Sequence, residues 1–203
     1  MRSLFKAILL AAFGLYACSV AAVGHSAEIP ALPPAPVVDL AGIIDNAAET
    51  KLNRYLQELA TKTGAQMAIL TINSLEGQSI EEFSIAIAHN QWKLGQKGKD
   101  NGVLIVVALN DKKYRIEIGY GLESLLPDSL VGSIGRQYLV PYFKRGDYST
   151  GIYAAAVVMA NEIARDAGVE ISGLPAVKKT YSAEKRKESH GVLGKIFSLV
   201  IFV

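Results

Sequence analysis

Apolar residues recur at two spacings along this chain, and each spacing predicts one kind of secondary structure. The helical spacing of i, i+3, i+4 and i+7 begins just after Asn46, which forms a capping-box pair with Glu49. The buried face of this first helix consists of Leu52, Tyr55, Leu56 and Leu59. Gly64 is the expected end of the helix, because glycine readily adopts the left-handed conformation that closes a helix.

Three further helices are predicted downstream. The second starts at a capping box headed by Ser79 and ends near Gly95. The third starts with Asp128 as its N-cap, and Pro141 terminates or kinks it because proline has no backbone N–H. The fourth covers about residues 151–166 and is small and apolar along its length.

Three segments have the patterns of β-strands. Residues 65–72 have the pattern of a buried strand, and residues 103–109 are apolar on both faces, as in a central strand of a sheet. Residues 113–118 alternate between apolar and polar side chains, which predicts one wetter face on which Arg115 is solvated. The short link "NDKK" between the last two strands is compatible only with a hairpin.

The predicted order of elements is α-β-α-β-β-α-α, and the segment "VVDL" is expected to add a short strand before the first helix. The helices are numerous enough to cover both faces of the sheet. The sequence therefore predicts an α/β fold, a three-layer αβα sandwich with a small mixed sheet that contains a β-hairpin. The length of 203 residues is sufficient for one core of useful size.

The beginning of the chain has the layout of a secretory signal peptide. Residues 1–27 carry two positive charges, then an apolar run, then small residues, and residues 28–36 form a Pro-rich linker. We therefore expect secretion across the inner membrane, with the mature chain in the periplasm or on the outer face of the membrane. Two alternatives stay open: an uncleaved anchor, and lipidation of Cys18, which lies in a sequence resembling a lipobox.

The end of the chain is predicted to lie outside the globular domain. Residues 169–191 are interpreted as a charged, flexible tail. Residues 192–203 are apolar but short and are interrupted by Lys195, so they are too short to span a bilayer. We interpret them as an interfacial or partner-bound segment, or as the start of a longer apolar segment.

Charge is distributed unevenly along the chain, although the formal total is only +2. Residues 178–195 carry six basic and two acidic residues, a net charge of +4, whereas residues 28–177 have a net charge of about −4. A mildly acidic globule without a basic face interleaved with aromatic residues is not expected to bind nucleic acid.

Polar and glycine residues collect at both outer ends of the predicted hairpin. In an antiparallel hairpin the numbers of paired residues sum to a constant, here 221 or 223, so Asn101 lies opposite position 120 or 122. This pairing brings Asp100, Asn101 and Glu123 to one end of the sheet, beside Tyr120. Their carboxylate and amide oxygens suit Ca²⁺ or Mg²⁺ rather than Zn²⁺. The alternative is that Asp-Asn-Gly and the nearby glycines are ordinary turn chemistry.

Four motifs occur in an order that resembles the TPM domain family. They are "VVDLAGIID", "TGAQMAIL", "NQWKLGQKGKDNGVLIVVALNDKKYRIEIGYGLESLLPD" and "YFKRGDYSTGIYAAA", and the resemblance covers about residues 37–168. The chain is similar to a secreted bacterial member and to the thylakoid-lumen and photosystem II repair proteins. The family pattern highlights Asp39 beside Asp100, Asn101 and Glu123, and thereby implies that these four residues bind a divalent cation. The alternative for Asp39 is an aspartate that caps its own loop.

The same resemblance implies a function at a membrane. It implies a secreted module that acts at the membrane surface in the maintenance or regulation of a membrane protein complex. The expected partners are therefore the membrane surface or such a complex. For plant members the resemblance implies acid phosphatase activity. The alternative function is accordingly a metal-assisted acid phosphatase that hydrolyses phosphate monoesters, with a small-molecule phosphate ester as its substrate.

The sequence offers few residues for other phosphatase mechanisms, and we assign no catalytic residue. A P-loop motif is missing, and Cys18 lies within the predicted signal peptide, so no cysteine nucleophile is expected in the mature chain. His89 is interpreted as a helix residue, and Trp92 as a buried anchor of the second helix. These observations favour the module over the enzyme.

Overall fold

The computed structural model of the protein describes residues 28–176 and the backbone of Val200–Ile201. The predicted signal peptide at residues 1–27, with Cys18, lies outside the described residues. The predictions for the tail beyond residue 176 lie outside them too, apart from the two paired residues near the end. Within residues 28–176, none of the helices combines the length and the apolar character that a membrane crossing requires.

A mixed β-sheet forms the middle layer of the domain. Strands β1 (Val37–Asp39), β2 (Gln66–Ile72) and β3 (Gly102–Ala108) are parallel to one another, and β1 is the short strand predicted at "VVDL". Strand β4 (Lys113–Ile118) is antiparallel to β3 and completes the predicted hairpin. The two residues of β5 (Val200–Ile201) pair antiparallel with the start of β4, so the spatial order is β1-β2-β3-β4-β5.

The first two helices form largely as predicted. Helix α1 (Asn46–Thr63) ends at Gly64, which has a φ of 75° and returns its N–H to a carbonyl of the last turn. Helix α2 (Ile80–Ile85) is capped by Ser79, whose hydroxyl accepts a hydrogen bond from a backbone N–H three residues further on. The helix does not stop at its sixth residue but continues as a π-helix over Ala86–Gln91.

The third predicted helix is divided into three parts. Helix α3 (Asp128–Ile134) is followed by a π-helix at Gly135–Leu139 and by the short helix α4 (Val140–Phe143). Pro141 does not end the helix. Because Pro141 has no N–H to donate to the carbonyl four residues earlier, the wider π-turn lies where the α-helical hydrogen bond is missing. The last helix, α5 (Tyr148–Asp166), begins three residues before its predicted start.

Two predicted N-caps are wrong. Asp45, and not Asn46, caps α1, and its carboxylate accepts a hydrogen bond from the Ala48 N–H at 2.9 Å. Asp128 is the first residue of α3 and not its N-cap, since Pro127 precedes the helix and no side chain caps it. In both cases a polar residue was placed one position away from the helix boundary that the backbone adopts.

The central strand β3 separates two hydrophobic cores, and all seven of its residues are buried. The odd-numbered residues from Val103 onward join the core under α1, α3, α4 and α5. The even-numbered residues join the core that contains Ile80, Ile87 and Trp92 from α2 and its π-helix. Helices therefore cover both faces of the sheet, and the predicted three-layer αβα sandwich is confirmed. Trp92 is a buried anchor, as predicted.

The polar face of β4 is buried, and the prediction that Arg115 is solvated is wrong. Helix α2 packs on this face, and Arg115 and Glu117 are only 3% and 8% exposed. The Arg115 guanidinium donates to the Glu117 carboxylate at 2.9 Å, and the Ser84 hydroxyl of α2 donates to the same oxygen at 3.2 Å. Pairing and hydrogen bonding inside the α2 layer therefore replace the solvent that the alternating pattern suggested.

The Pro-rich segment at residues 28–36 lies against the α2 layer. The carbonyl of Pro30 accepts hydrogen bonds from the side chains of Gln91 and Trp92, both at 2.9 Å. Ile29 packs against the core beneath α2. This part of the predicted linker is therefore attached to the domain.

Residues 169–175 lie against the opposite layer. The carboxylate of Glu58 on α1 accepts hydrogen bonds from the backbone N–H and the hydroxyl of Ser172. The hydroxyl of Tyr55 donates to the Gly173 carbonyl, and Ile171 is buried. The folded unit thus includes residues that the sequence pattern assigned to the tail.

Replacing Glu117 with alanine should destabilise the domain by about 3–5 kcal/mol, because Arg115 then loses the carboxylate that balances its buried charge. Urea unfolding measures the effect. The double variant Arg115→Met/Glu117→Leu should retain much more stability, since it removes both charges together. Equal instability of the single and double variants would show that charge balance is not the role of Glu117.

The contacts of Glu58 with Ser172 should break only in strong acid. Hydrogen bonds from Lys62 and from Ser172 lower the pKa of Glu58 from its ordinary 4.5 to about 2. Their stabilisation is therefore complete above pH 4.5 and is lost as the pH falls towards 2. The Ser172 amide resonance in NMR spectra should titrate with a midpoint near 2, and Glu58→Gln should abolish this titration. A midpoint at the ordinary value would contradict the prediction.

Candidate functional site

The hairpin register gathers the predicted loop and turn residues at one end of the sheet. Paired residue numbers in β3 and β4 sum to 221, the first of the two predicted values. Beyond the last pair, the Gly119 N–H donates to the Gly102 carbonyl at 2.8 Å, and the Gly121 N–H donates to the Asp100 carbonyl at 3.1 Å. Backbone hydrogen bonds therefore join the loop before β3 to the turn after β4.

Glycine is required at two positions of this turn because two backbone segments are in contact. A Cβ atom on Gly119 would lie 2.0 Å from the carbonyl oxygen of Asp100. A Cβ atom on Gly121 would lie 1.9 Å from the carbonyl oxygen of Lys99. The space beside both glycines is filled by the protein's own carbonyl groups, which supports turn chemistry as the role of these glycines.

Asn101 holds the loop before β3 in place. It is buried, and its side-chain oxygen accepts a hydrogen bond from the Gln96 N–H at 2.7 Å. Its backbone carbonyl accepts a hydrogen bond from the Gln66 N–H at 3.0 Å. The amide oxygen that was predicted to be a cation ligand is thus engaged in closing the loop, and Asn101 positions the neighbouring Asp100.

Asp100 and Glu123 present two carboxylates to solvent at this end of the sheet. Asp100 has a φ of 47°, a left-handed conformation that the surrounding loop imposes on it. Glu123 follows a 3₁₀ turn at Tyr120–Leu122, and Tyr120 is 79% exposed. Within residues 28–176 neither carboxylate takes part in a hydrogen bond or an ion pair. Both side chains are therefore available to a ligand.

Asp39, the fourth predicted ligand, lies at the other end of the sheet. It pairs with Thr71 in β2, and Thr71 pairs with Val107 near the end of β3. Asp100 precedes the start of β3. The separation is the length of a seven-residue strand, roughly 20 Å. The four predicted residues therefore do not share one site.

The carboxylate of Asp39 is saturated by its own surroundings. It accepts hydrogen bonds from the backbone N–H groups of Ile43 at 3.1 Å and Ile44 at 2.8 Å. It also accepts one from the Thr71 hydroxyl. These contacts match the alternative interpretation, in which Asp39 caps the loop between β1 and α1.

A shallow cleft adjoins the hairpin end on the α2 side, and sequence reasoning missed it. Its lining includes Ala88, His89, Leu94, Gly102, Glu117 and Gly119. His89 is carried by the π-helix at Ala86–Gln91, and π-helical turns frequently occur at functional sites. The sequence held no signal for this turn, because its apolar spacing was indistinguishable from that of an α-helix. Glu117 is already bound by Arg115.

Replacing Gly119 with alanine should cost about 2–4 kcal/mol of unfolding free energy, because the new methyl group overlaps the Asp100 carbonyl. Gly119 has a φ of −68°, so strain from a left-handed backbone is not involved. Gly42→Ala is the matched control: it has a φ of 64° with open space around it, and should cost only about 1 kcal/mol. Thermal or urea unfolding compares the two. Equal losses would mean that close backbone contact is unimportant at Gly119.

Comparisons with known proteins find a matching family and similar solved structures. A family model described as the TPM domain matches residues 37–162. The solution structure of the N-terminal domain of a protein from P. gingivalis is similar, with a TM-score of 0.61 and 30% identity, over 66% of this chain and 84% of that chain. The BA42 protein from Bizionia argentinensis has a TM-score of 0.48 and 17% identity, over 60% and 82% of the two chains. A search of curated proteins finds no match.

The matching family model covers strands β1 to β4 and the helices on both faces of the sheet, up to residue 162 in α5. It also includes the hairpin end with Asp100 and Glu123. Since the match spans more than half of the chain, this protein belongs to the TPM domain family.

Proposed function

We propose that this TPM domain is a secreted module that binds a divalent cation at the hairpin end. The proposal depends on one observation: two solvent-exposed carboxylates, Asp100 and Glu123, are held at one edge by a loop and a turn that are joined through their backbones. Because the two backbone segments are already joined, a cation would remove less conformational entropy when it binds between them.

The ligand set suits a weakly held hard cation. Within residues 28–176, no three side chains of His, Cys, Asp or Glu lie together in a metal-binding group. Asp100 and Glu123 would therefore be completed by carbonyl oxygens and water, which both Ca²⁺ and Mg²⁺ accept. With so few charged ligands we expect a dissociation constant of about 10⁻⁴–10⁻³ M, the range of extracellular calcium modules. Asp39 is not part of this site, because it lies at the other end of the sheet.

We further propose that the module acts at the outer surface of a membrane, where it maintains or regulates a membrane protein complex. The layout of residues 1–27 supports export. Val200–Ile201 of the apolar end pair with β4, so a contact with a membrane or a membrane-bound partner would fall to the apolar residues before them. The cation site would lie on the exposed edge of the domain, where a partner could share it.

Calorimetric titration of residues 28–176 with Ca²⁺, and separately with Mg²⁺, tests the cation site. This unit contains both hydrophobic cores, and the similar P. gingivalis domain was solved by itself. Asp100→Asn and Glu123→Gln should each weaken binding by about tenfold or more, since each removes one of two charged ligands. Asp166→Asn, at the end of α5, is the control and should leave binding unchanged. Absence of saturable binding to either ion would refute the site.

The same variants test the alternative, a metal-assisted acid phosphatase. Here a bound cation would neutralise a phosphate monoester and activate water. The measurement is cation-dependent hydrolysis of p-nitrophenyl phosphate over acidic and neutral pH. Turnover that disappears in both Asp100→Asn and Glu123→Gln would replace the binding module with an enzyme. Cation binding without turnover would support the module.

A further inference from the structure

One helical region of the domain is basic although the domain as a whole is acidic. Residues 129–146 contain Arg136, Lys144 and Arg145 and no Asp or Glu. Over residues 28–177, acidic residues exceed basic ones by 17 to 13. The composition of the chain did not predict this local excess of basic residues.

The three basic residues lie on one outer face. They are exposed, as are Gln137 and Pro141 between them. The opposite face of the same helices is buried in the core through Val131, Ile134, Leu139 and Phe143. Arg136 is carried by the π-helix at Gly135–Leu139, and Lys144 and Arg145 lie in the turn directly after α4. This set of Arg136, Lys144 and Arg145 is termed the basic helix face below.

The charges of the basic helix face are not neutralised within the described part of the domain. No ion pair to Arg136, Lys144 or Arg145 occurs there. Arg145 lies instead over the ring of Tyr142, with 4.8 Å between the guanidinium carbon and the ring centroid. Tyr138 and Tyr142 are half-buried at the margin of this face. Tyrosine side chains, which have an apolar ring and a polar tip, are enriched at membrane–water interfaces.

The exit of the chain lies in the same layer as the basic helix face. Residues 169–175 are attached to α1 and α5, and α5 packs against α4 and the π-helix before it. The sequence then continues into basic residues between 178 and 187. The Pro-rich segment at residues 28–36 is attached to the opposite layer. The last described residues before this basic segment therefore lie on the same side of the sheet as the basic helix face.

We propose that the basic helix face contacts an anionic membrane surface. This inference rests on the proposed function at a membrane and names the surface of the domain that would face the lipid. Each Lys or Arg close to an anionic surface strengthens binding about fivefold, and the attraction falls off within a Debye length. Three charges on a rigid face, flanked by tyrosines, give a weak and salt-sensitive contact. The domain would then be held with its α3–α4 side towards the membrane.

Vesicle co-sedimentation tests the inference with residues 28–176 and, in parallel, with the full chain. The vesicles contain phosphatidylcholine with phosphatidylglycerol, or phosphatidylcholine alone. Binding of the domain should require phosphatidylglycerol and weaken as the salt concentration rises. Arg136→Gln/Lys144→Gln/Arg145→Gln should weaken it by about tenfold or more. Lys93→Gln/Lys97→Gln/Lys99→Gln removes the same charge from the exposed loop before β3 and is the matched control, which should bind nearly as well as the wild type.

The outcomes separate this inference from the proposed function. Equal loss in the two triple variants would show that only total charge matters and would overturn the inference. No binding of the domain to anionic vesicles would overturn it as well, while calorimetry still decides the cation site. Full-chain binding that neither triple variant changes would assign the membrane contact to the ends of the chain. In that case the basic helix face would be wrong but a function at the membrane would remain.

Discussion

The complete burial of β3 on both faces is the constraint on which the rest of the domain depends. A strand with seven buried residues needs a paired strand at each edge and a helical layer on each face. Strands β2 and β4 pair with its two edges. Helices α1 and α5 cover one face, and α2 with its π-helix covers the other. The four predicted cation ligands are then placed by their distance from one end of β3 or the other.

At the hairpin end, the same short motifs contain residues that hold the backbone together and residues that are available to a ligand. Asn101 closes the loop before β3, and Gly119 and Gly121 make room for its carbonyl groups. The carboxylates of Asp100 and Glu123 have no hydrogen-bond or ion-pair partner within residues 28–176. Most of the residues that identify this stretch as a motif therefore have a structural role. The rigid backbone contact is nevertheless what would allow two carboxylates to act together, because it fixes the segments that carry them.

The sequence predicted the strands and the hairpin well, because periodicity and turn length determine the register of β3 and β4. It could not place Asp39, because the parallel pairing of β1 with β2 is a long-range contact without a local signal. The prediction that Arg115 is solvated was wrong for another reason. An alternating strand has the same pattern whether its polar face meets water or a helix that carries a hydrogen-bonding serine, as Ser84 does here.

Net charge was the weakest guide to the surface of this domain. Exposed charges separated by more than about 8 Å are largely screened at physiological ionic strength, so a binding surface responds to its own charges and not to the total. The acidic excess of residues 28–177 includes carboxylates that already have partners: Glu117 pairs with Arg115, and Asp39 accepts hydrogen bonds within its loop. The residues of the basic helix face form no ion pair within the described part of the chain. A domain with an acidic total can therefore present a cationic face to one partner and a pair of carboxylates to another, provided that the two lie on different edges of the fold.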